Sequence, residues 1–217
     1  MDLRKHSDYF DPNSVSAPIH IIGLGAVGSN IVDQLARFGF DNFHLWDIDT
    51  VEFKNITNQM YSTFHVNHLK TKAMKAIILD INPEAKITLH EGYNGELLDG
   101  YVFLAVDSIS IRKLAVTNNL SNTNLLAVFD TRIGAMDAQG YAAKGTDLEK
   151  LLLTMDFTDE EAQKDAPKSL CGEIISIRST VLIITALQVQ NFVDFLRQGK
   201  LKDKIFFMGE IPHLLIS

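Results

Sequence analysis

Two hydrophobic periods alternate along most of this chain. Short apolar runs are separated by longer segments in which apolar residues return every three or four positions. Ile19, Ile21 and Ile22 form the first run, and residues 42–46 form a second that ends at Asp47. Between them Val27, Ile31, Leu35 and Phe38 recur at helical spacing. A helical segment runs from Lys70 to about residue 79 and is closed by Asn82-Pro83. Residues 86–90 alternate as a half-buried strand does. Residues 101–106 are continuously apolar up to Asp107, the pattern of a parallel strand covered on both faces. A helix is predicted over 109–119, a second buried strand over 125–129 and a further strand over 139–143. Strand and helix in alternation predict an α/β fold: a Rossmann-like, doubly wound, mostly parallel sheet with helices on both faces.

The rest of the chain breaks this rhythm. Residues 144–168 are polar and acidic, with Asp156, Asp159, Glu160, Glu161 and Asp165, and read as a mobile loop or short helix. Residues 174–196 return to helical spacing and are expected to close the core. Residues 201–217 hold one or two strands. With no repeat, linker or low-complexity tract, one domain is expected over 1–217, with an N-terminal arm over 1–17 and a mobile loop over 144–170.

Composition narrows the function classes. A chain of 217 residues is long enough for a full core. Its net charge of −7 argues against nucleic acid as the main partner. The lone Cys171 excludes a disulfide framework within the chain and any Cys-x-x-Cys zinc site. No continuous apolar run approaches the roughly 18 residues of a membrane span, and the polar start is unlike a signal peptide. A reducing cytoplasmic setting without membrane contact is therefore expected. His65 and His68 stand three apart but lack an obvious third ligand, and read as a surface pair.

The chemistry concentrates between His20 and Lys70. After the first apolar run the chain reads Gly23-Leu-Gly25-Ala26-Val27-Gly28, and Asp47 follows nineteen residues later. Gly23 permits a tight turn, Gly25 brings the backbone close to a phosphate, and Gly28 lets the helix pack on the strand. The N-terminus of that helix aims N–H groups and positive dipole at an anion. Asp47, at a strand end, can accept hydrogen bonds from ribose hydroxyls. These features indicate a nucleotide without separating NAD from ATP. Asp107 ends a predicted strand, where ligands of such sheets bind; it could equally cap the helix that follows.

Residues beyond the glycines carry a resemblance. Asp47-Ile-Asp49-Thr-Val51, then Asn55-Ile-Thr-Asn58-Gln59, Lys70, and Asp107 followed five positions later by Arg112 resemble the adenylyltransferases of the ThiF, MoeB and ubiquitin-activating family. The likeness covers roughly residues 18–145. It implies activation of a carboxylate by ATP and Mg²⁺: a carboxylate oxygen attacks the α-phosphorus and pyrophosphate leaves. Implied roles follow position by position. Residues 25–28 hold phosphate oxygens, and Asp47, with Asp49, faces the nucleotide. Lys70 is the phosphate cation, and Asn55 and Gln59 fix nucleotide and lysine. Asp107 holds Mg²⁺, and Arg112 either holds Asp107 or faces the nucleotide. The family completes its site with an N-terminal arginine from a partner subunit, which makes Arg4 the candidate and implies a homodimer. The implied substrate is the C-terminal carboxylate of a ubiquitin-like protein, a sulfur-carrier protein or a peptide. Cys171, before the closing helix, is a possible acyl acceptor, or a small buried hydrophobe.

One position departs from the pattern. Where these proteins carry an arginine facing the triphosphate, this chain has Asn58, which keeps hydrogen-bonding capacity but loses a charge and the bidentate fork. Two other readings follow: a nucleotide-binding protein of the same fold with reduced catalysis, and an NAD(P)-dependent oxidoreductase, which needs the glycines and Asp47 but none of Asn55, Gln59, Lys70 or Asp107.

Overall fold

The computed structural model describes residues 1–169, 172, 174–209 and 213–217, leaving aside the side chain of residue 165. The strands are β1 (Ile19–Ile22), β2 (Asn42–Trp46), β3 (Lys86–His90), β4 (Gly100–Leu104), β5 (Leu125–Ile133), β6 (Asp137–Lys144), β7 (Lys204–Met208) and β8 (His213–Ile216). The α-helices are α1 (Ala26–Phe38), α2 (Lys70–Ile81), α3 (Ile109–Asn118), α4 (Glu149–Leu152), α5 (Asp159–Asp165) and α6 (Arg178–Gln198). They form one eight-stranded sheet in the order β3-β2-β1-β4-β5-β6-β7-β8. The first five strands of that order are parallel, and β6, β7 and β8 continue it antiparallel.

Burial on both faces explains the continuous apolar runs. On one face α1 packs against α2 and α6, over a core that includes Ile21, Phe43, Phe103, Phe129 and Phe192. On the other, α3 and α4 cover Ile22, Val102, Leu104 and Val128. Adjacent residues of one strand thus enter opposite cores, so neither phase of the strand is polar. Helix α1 ends where Gly39 takes φ +106 and donates its N–H to the carbonyls of Leu35 and Ala36, a left-handed cap that favours glycine. By length and composition α6 could cross a membrane, but its buried face packs on α1, β5 and β6.

The acidic stretch expected as a mobile loop or short helix is built as α4 and α5. Leu148, Leu151 and Met155 anchor it in the second core; their spacing was hidden among the charges. The strand expected at 125–129 continues to Ile133, and its hairpin partner β6 is antiparallel. The N-terminal arm folds back on its own chain. Leu3 packs at Gly39, His6 bonds to the Phe38 carbonyl, and the Arg197 guanidinium lies 3.6 Å from the Tyr9 ring centroid.

A histidine cluster sits on the β1-β2-β3 side of the sheet. His20 accepts from the Trp46 indole N–H at Nδ1 and lies 3.0 Å from Asp99 through Nε2. An acceptor Nδ1 leaves Nε2 as the protonated nitrogen of a neutral ring, so the Asp99 contact is a hydrogen bond rather than an ion pair. Burial pushes the His20 pKa down to about 4, against the opposing pull of Asp99. Burial also lowers those of His44 and His90. Below its ordinary pKa the unfolded chain binds a proton that folded His20 refuses. Stability is therefore lost as pH falls from about 6.5 toward 4. Between pH 7 and 5 this one site should cost about 2 kcal/mol, measured by urea unfolding with Trp46 fluorescence. His20→Gln should flatten the profile; an unchanged slope would exclude His20 as its source.

Candidate nucleotide-binding site

The residues singled out by the sequence gather at the carboxyl ends of the parallel strands. There the sheet order reverses between β1 and β4, the usual place for a crevice in such folds. Each glycine has its own steric reason. Gly23 has φ +91, and a Cβ there would meet Val106 N at 2.7 Å. A Cβ on Gly28 would lie 1.9 Å from the Gly23 carbonyl oxygen. Helix and turn are therefore in backbone contact. Gly25, the N-cap of α1, differs: a Cβ there meets nothing within 4 Å, and no side chain caps the helix. The N–H groups of Ala26, Val27 and Gly28 have no acceptor within the helix. Open space above donor groups is what a phosphate requires.

Asp47 ties the loop to its surroundings. One carboxylate oxygen accepts from Leu24 N–H at 2.7 Å and the other from Asp49 N–H at 2.8 Å. Its side chain is 8% exposed, against 60% for Asp49. Burial raises the Asp47 pKa, and Lys70 is the largest opposing influence. Asp47 is thus a strut with lone pairs to spare, and Asp49 is the open carboxylate of the turn. Lys70, the first residue of α2, places Nζ 2.7 Å from Asp49 and 4.0 Å from Asp47. Backbone bonds from Lys70 N to Asp49 O and Val51 N to His68 O hold this turn against the start of α2.

The segment 55–61 lies along the first turn of α1. Asn30 Nδ2 donates to the carbonyls of both Ala26 and Asn58, and Ser29 Oγ accepts from Met60 N–H. Asn55 Oδ1 accepts from Glu52 N–H in a capping box, which leaves the amide NH₂ for a ligand. Gln59 Oε1 is buried without a partner, a deficit that a bound group can fill. Asn58 Nδ2 donates to the Ser176 carbonyl. Tyr61, which no motif marked, donates its hydroxyl to the Leu24 carbonyl; burial pushes its pKa well up.

Across the crevice Asp107 follows β4. The alternative that it caps α3 does not hold. Ser108 is the N-cap and accepts from Ile111 N–H, while Asp159 of α5 accepts from the N–H groups of Ile109 and Ser110. Asp107 is exposed and spared for a ligand. Among the described residues no three His, Cys, Asp or Glu side chains converge as a metal site. A lone carboxylate instead fits Mg²⁺, which takes its other ligands from phosphates and water. Arg112 does not face the crevice. It is buried, and its terminal nitrogens bond to Asp130 and to the carbonyls of Leu104, Val106 and Thr131. Of its two possible roles the geometry supplies the first: it holds the Asp107 turn, through backbone carbonyls. Arg132 completes the brace, with Nε 2.9 Å from Asp130.

Arg4 is exposed and paired with Asp2 at 2.6 Å. The arm that carries it packs at the C-terminal end of α1, away from the glycine loop of its own chain. Cys171 lies outside the described residues. His65 is occupied in its own turn, where Nδ1 accepts from Ser62 N–H.

The ThiF family model matches residues 14–210. This chain belongs to the ThiF family. Partial matches include SUMO-activating enzyme subunit 2 of Dictyostelium discoideum, 28% identical over 104 residues, or 44% of this chain and 16% of that protein. The tRNA threonylcarbamoyladenosine dehydratase of Bacillus subtilis (strain 168) is 32% identical over 96 residues, covering 43% and 38%. The microcin C7 biosynthetic enzyme MccB with N-formylated MccA has the same fold: TM-score 0.74, 16% identity, and coverage of 93% of this chain and 64% of that one. E. coli MccB with ATP gives a TM-score of 0.68 at 17% identity, covering 93% and 63%. The chain spans less than two thirds of each of these proteins.

The two glycines make a contrasting test. Gly28→Ala drives a methyl group into the Gly23 carbonyl and should cost about 3 kcal/mol or more in chemical denaturation. Gly25→Ala meets no protein atom and should leave stability within about 0.5 kcal/mol, while weakening nucleotide binding at least about tenfold in calorimetry. Equal loss of stability in both variants would refute the assignment of Gly25 to a ligand.

Proposed function

We propose that this chain is the adenylylating unit of a carboxylate-activating enzyme that uses ATP and Mg²⁺. The observation that carries the reading is an exposed, uncommitted Asp107 carboxylate after β4, the strand paired with β1, whose glycine loop leaves the first N–H groups of α1 open, with Lys70 held to the turn after β2 by Asp49. A redox cofactor needs neither that carboxylate nor that lysine.

A carboxylate oxygen of the acceptor forms a bond to the α-phosphorus. The bond from that phosphorus to the bridging oxygen breaks, and pyrophosphate leaves with the electron pair. The N–H groups of residues 26–28 bind and orient phosphate oxygens. Asp47 and Asp49 accept from ribose hydroxyls, Asn55 and Gln59 position the nucleotide, and Lys70 offsets negative charge that grows as the bond breaks. Asp107 would hold Mg²⁺, which would supply further charge neutralisation on the phosphates. Arg112 acts through the Asp107 turn and touches no substrate. In this reading the enzyme is cytoplasmic and a homodimer: the arm that carries Arg4 packs at the C-terminal end of α1, the end opposite the glycine loop, and Arg4 would complete the site of a second copy. The acceptor is the C-terminal carboxylate of a ubiquitin-like protein, sulfur-carrier protein or peptide. The partial matches to SUMO-activating enzyme subunit 2 and to ubiquitin-like modifier-activating enzyme 5, and the fold shared with MccB in complex with N-formylated MccA, support that class.

Asn58 favours a second reading, a nucleotide-binding protein with reduced catalysis, since its amide bonds to Ser176 instead of presenting a cation. ATP with Mg²⁺ near a hundredfold its Kd should stabilise the protein by about 2.7 kcal/mol, seen as a rise of several degrees in Tm, and NAD should not. Selective stabilisation by NAD would overturn adenylylation. ATP binding without ATP–pyrophosphate exchange, across candidate carboxylate proteins, would establish the second reading. Lys70→Ala should lower exchange by about a hundredfold or more and cost about 1 kcal/mol of stability by removing the ammonium beside the buried Asp47 carboxylate. Unchanged exchange would remove Lys70 from its role.

A further inference from the structure

A cation that no motif marks lies against residues 59 and 60, beside the strip that borders the glycine loop. We infer that Arg178, the first residue of α6, binds the β- and γ-phosphates of the nucleotide, so that this site draws its phosphate-binding arginine from the closing helix.

The other cations near the strand ends are already paired with carboxylates. Lys70 is tied to Asp49 at 2.7 Å. Arg112 and Arg132 both bond to Asp130. Lys54 lies 3.4 Å from Glu52. Against them stand Asp47, Asp49 and Asp107, in a chain of net charge −7. A polyphosphate entering so acidic a crevice needs a further cation to offset its charge.

Arg178 is placed to supply it. A ladder of hydrogen bonds runs from the glycine loop to α6. Asn30 joins Ala26 O to Asn58 O, Asn58 Nδ2 reaches Ser176 O, and Arg178 Nη1 donates to Gln59 O at 3.3 Å. The other terminal nitrogen, Nη2, meets only the Met60 sulfur at 3.7 Å. Among the described residues no carboxylate pairs with this guanidinium. A half-buried arginine with five donors, whose two recorded contacts are both weak, is incompletely satisfied. The neighbouring Gln59 Oε1 and Ser176 Oγ are also buried without partners. Two buried polar atoms without partners and one incompletely satisfied guanidinium therefore sit together, on the ladder that leads to the open glycine loop. The N-cap of α6, Ile177, makes no side-chain cap bond, so the positive end of a 21-residue helix adds to the same cluster. The bidentate fork of arginine suits paired phosphate oxygens.

This inference rests on the nucleotide reading above, and one binding series separates the two. ATP with Mg²⁺ and AMP are titrated calorimetrically into wild type, Arg178→Ala and Arg178→Lys. Wild type is expected to bind ATP more tightly than AMP. Arg178→Ala should lose at least about tenfold in ATP affinity with AMP affinity within about twofold, because AMP lacks the outer phosphates. Arg178→Lys should recover part of the loss, as a point charge without the fork. Installing the cation on the adjacent strip, Asn58→Arg in the Arg178→Ala background, should also restore ATP affinity. Equal weakening of ATP and AMP, or no weakening of either, would overturn the role of Arg178 while leaving the nucleotide site standing. A wild-type protein that binds no ATP would overturn both. If Arg178→Ala fails to fold, Arg178→Lys decides: affinity for ATP unchanged from wild type would refute a bidentate contact.

Discussion

Asp47 is the interaction on which the rest of the site depends. A nearly buried carboxylate at a strand end would be costly if left alone. Here two backbone N–H groups and the Lys70 ammonium offset that cost. Each of those partners belongs to a different piece of the crevice: the glycine loop, the turn bearing Asp49, and the start of α2. The need to satisfy one buried charge therefore sets the relative positions of three segments. Their backbone contacts leave little freedom to adjust, because the Gly23 and Gly28 backbones are already closer than any side chain permits. What the loop offers a ligand follows from this. Its N–H groups are held open at Gly25 because Asp47 pins the residue before it.

A second buried charge organises the opposite wall. Asp130 is fully buried and takes both Arg112 and Arg132. Burial presses the Arg112 guanidinium below its ordinary pKa, and Asp130 opposes that shift. Removing one member of such a group strands the others, so it persists as a unit. Its reach to the carbonyls of Leu104 and Val106 fixes how β4 leaves the sheet, and hence where Asp107 stands. The two walls differ in kind. One holds a turn by its backbone donors and the other by its backbone acceptors, and the crevice is the space between them. Of the antiparallel strands, β6 reaches these charged groups through Tyr141, whose ring lies 4.7 Å from the Arg132 guanidinium carbon.

Membership of the ThiF family and the fold shared with MccB describe a framework preserved at low identity. That is what the physics of this sheet leads one to expect. The parallel half needs only apolar residues of suitable volume on both faces, and many sequences meet that requirement. The narrow demands are at a few points: Gly23, Gly28, and the acids at the ends of β2 and β4. Those are the positions where the sequence was informative.

Local patterning made the parallel half legible. Strands β1, β2 and β3 are predicted to the residue or nearly so, because each is bounded by a glycine, an acid or a proline that has a local reason to be there. The acidic stretch was ambiguous because Leu148, Leu151 and Met155, which anchor it, are outnumbered by charges that merely face outward. The glycine spacing and Asp47 likewise marked part of one wall, since close backbone packing and strand-end acids leave a local signature, whereas Lys70 was singled out from its neighbours Lys72 and Lys75 by the family resemblance. Long-range pairing does not. That Asp159 would cap α3, that Arg112 would be spent on Asp130, and that Arg178 would lie against Gln59 depends on contacts between residues from 18 to 119 positions apart along the chain. By itself the sequence determined the elements and the chemistry carried on each. Only the tertiary structure decided which charges are committed to one another and which remain for a ligand, because a side chain's partner is set by how helices dock on the sheet, and that docking is written in packing rather than in any local run of residues.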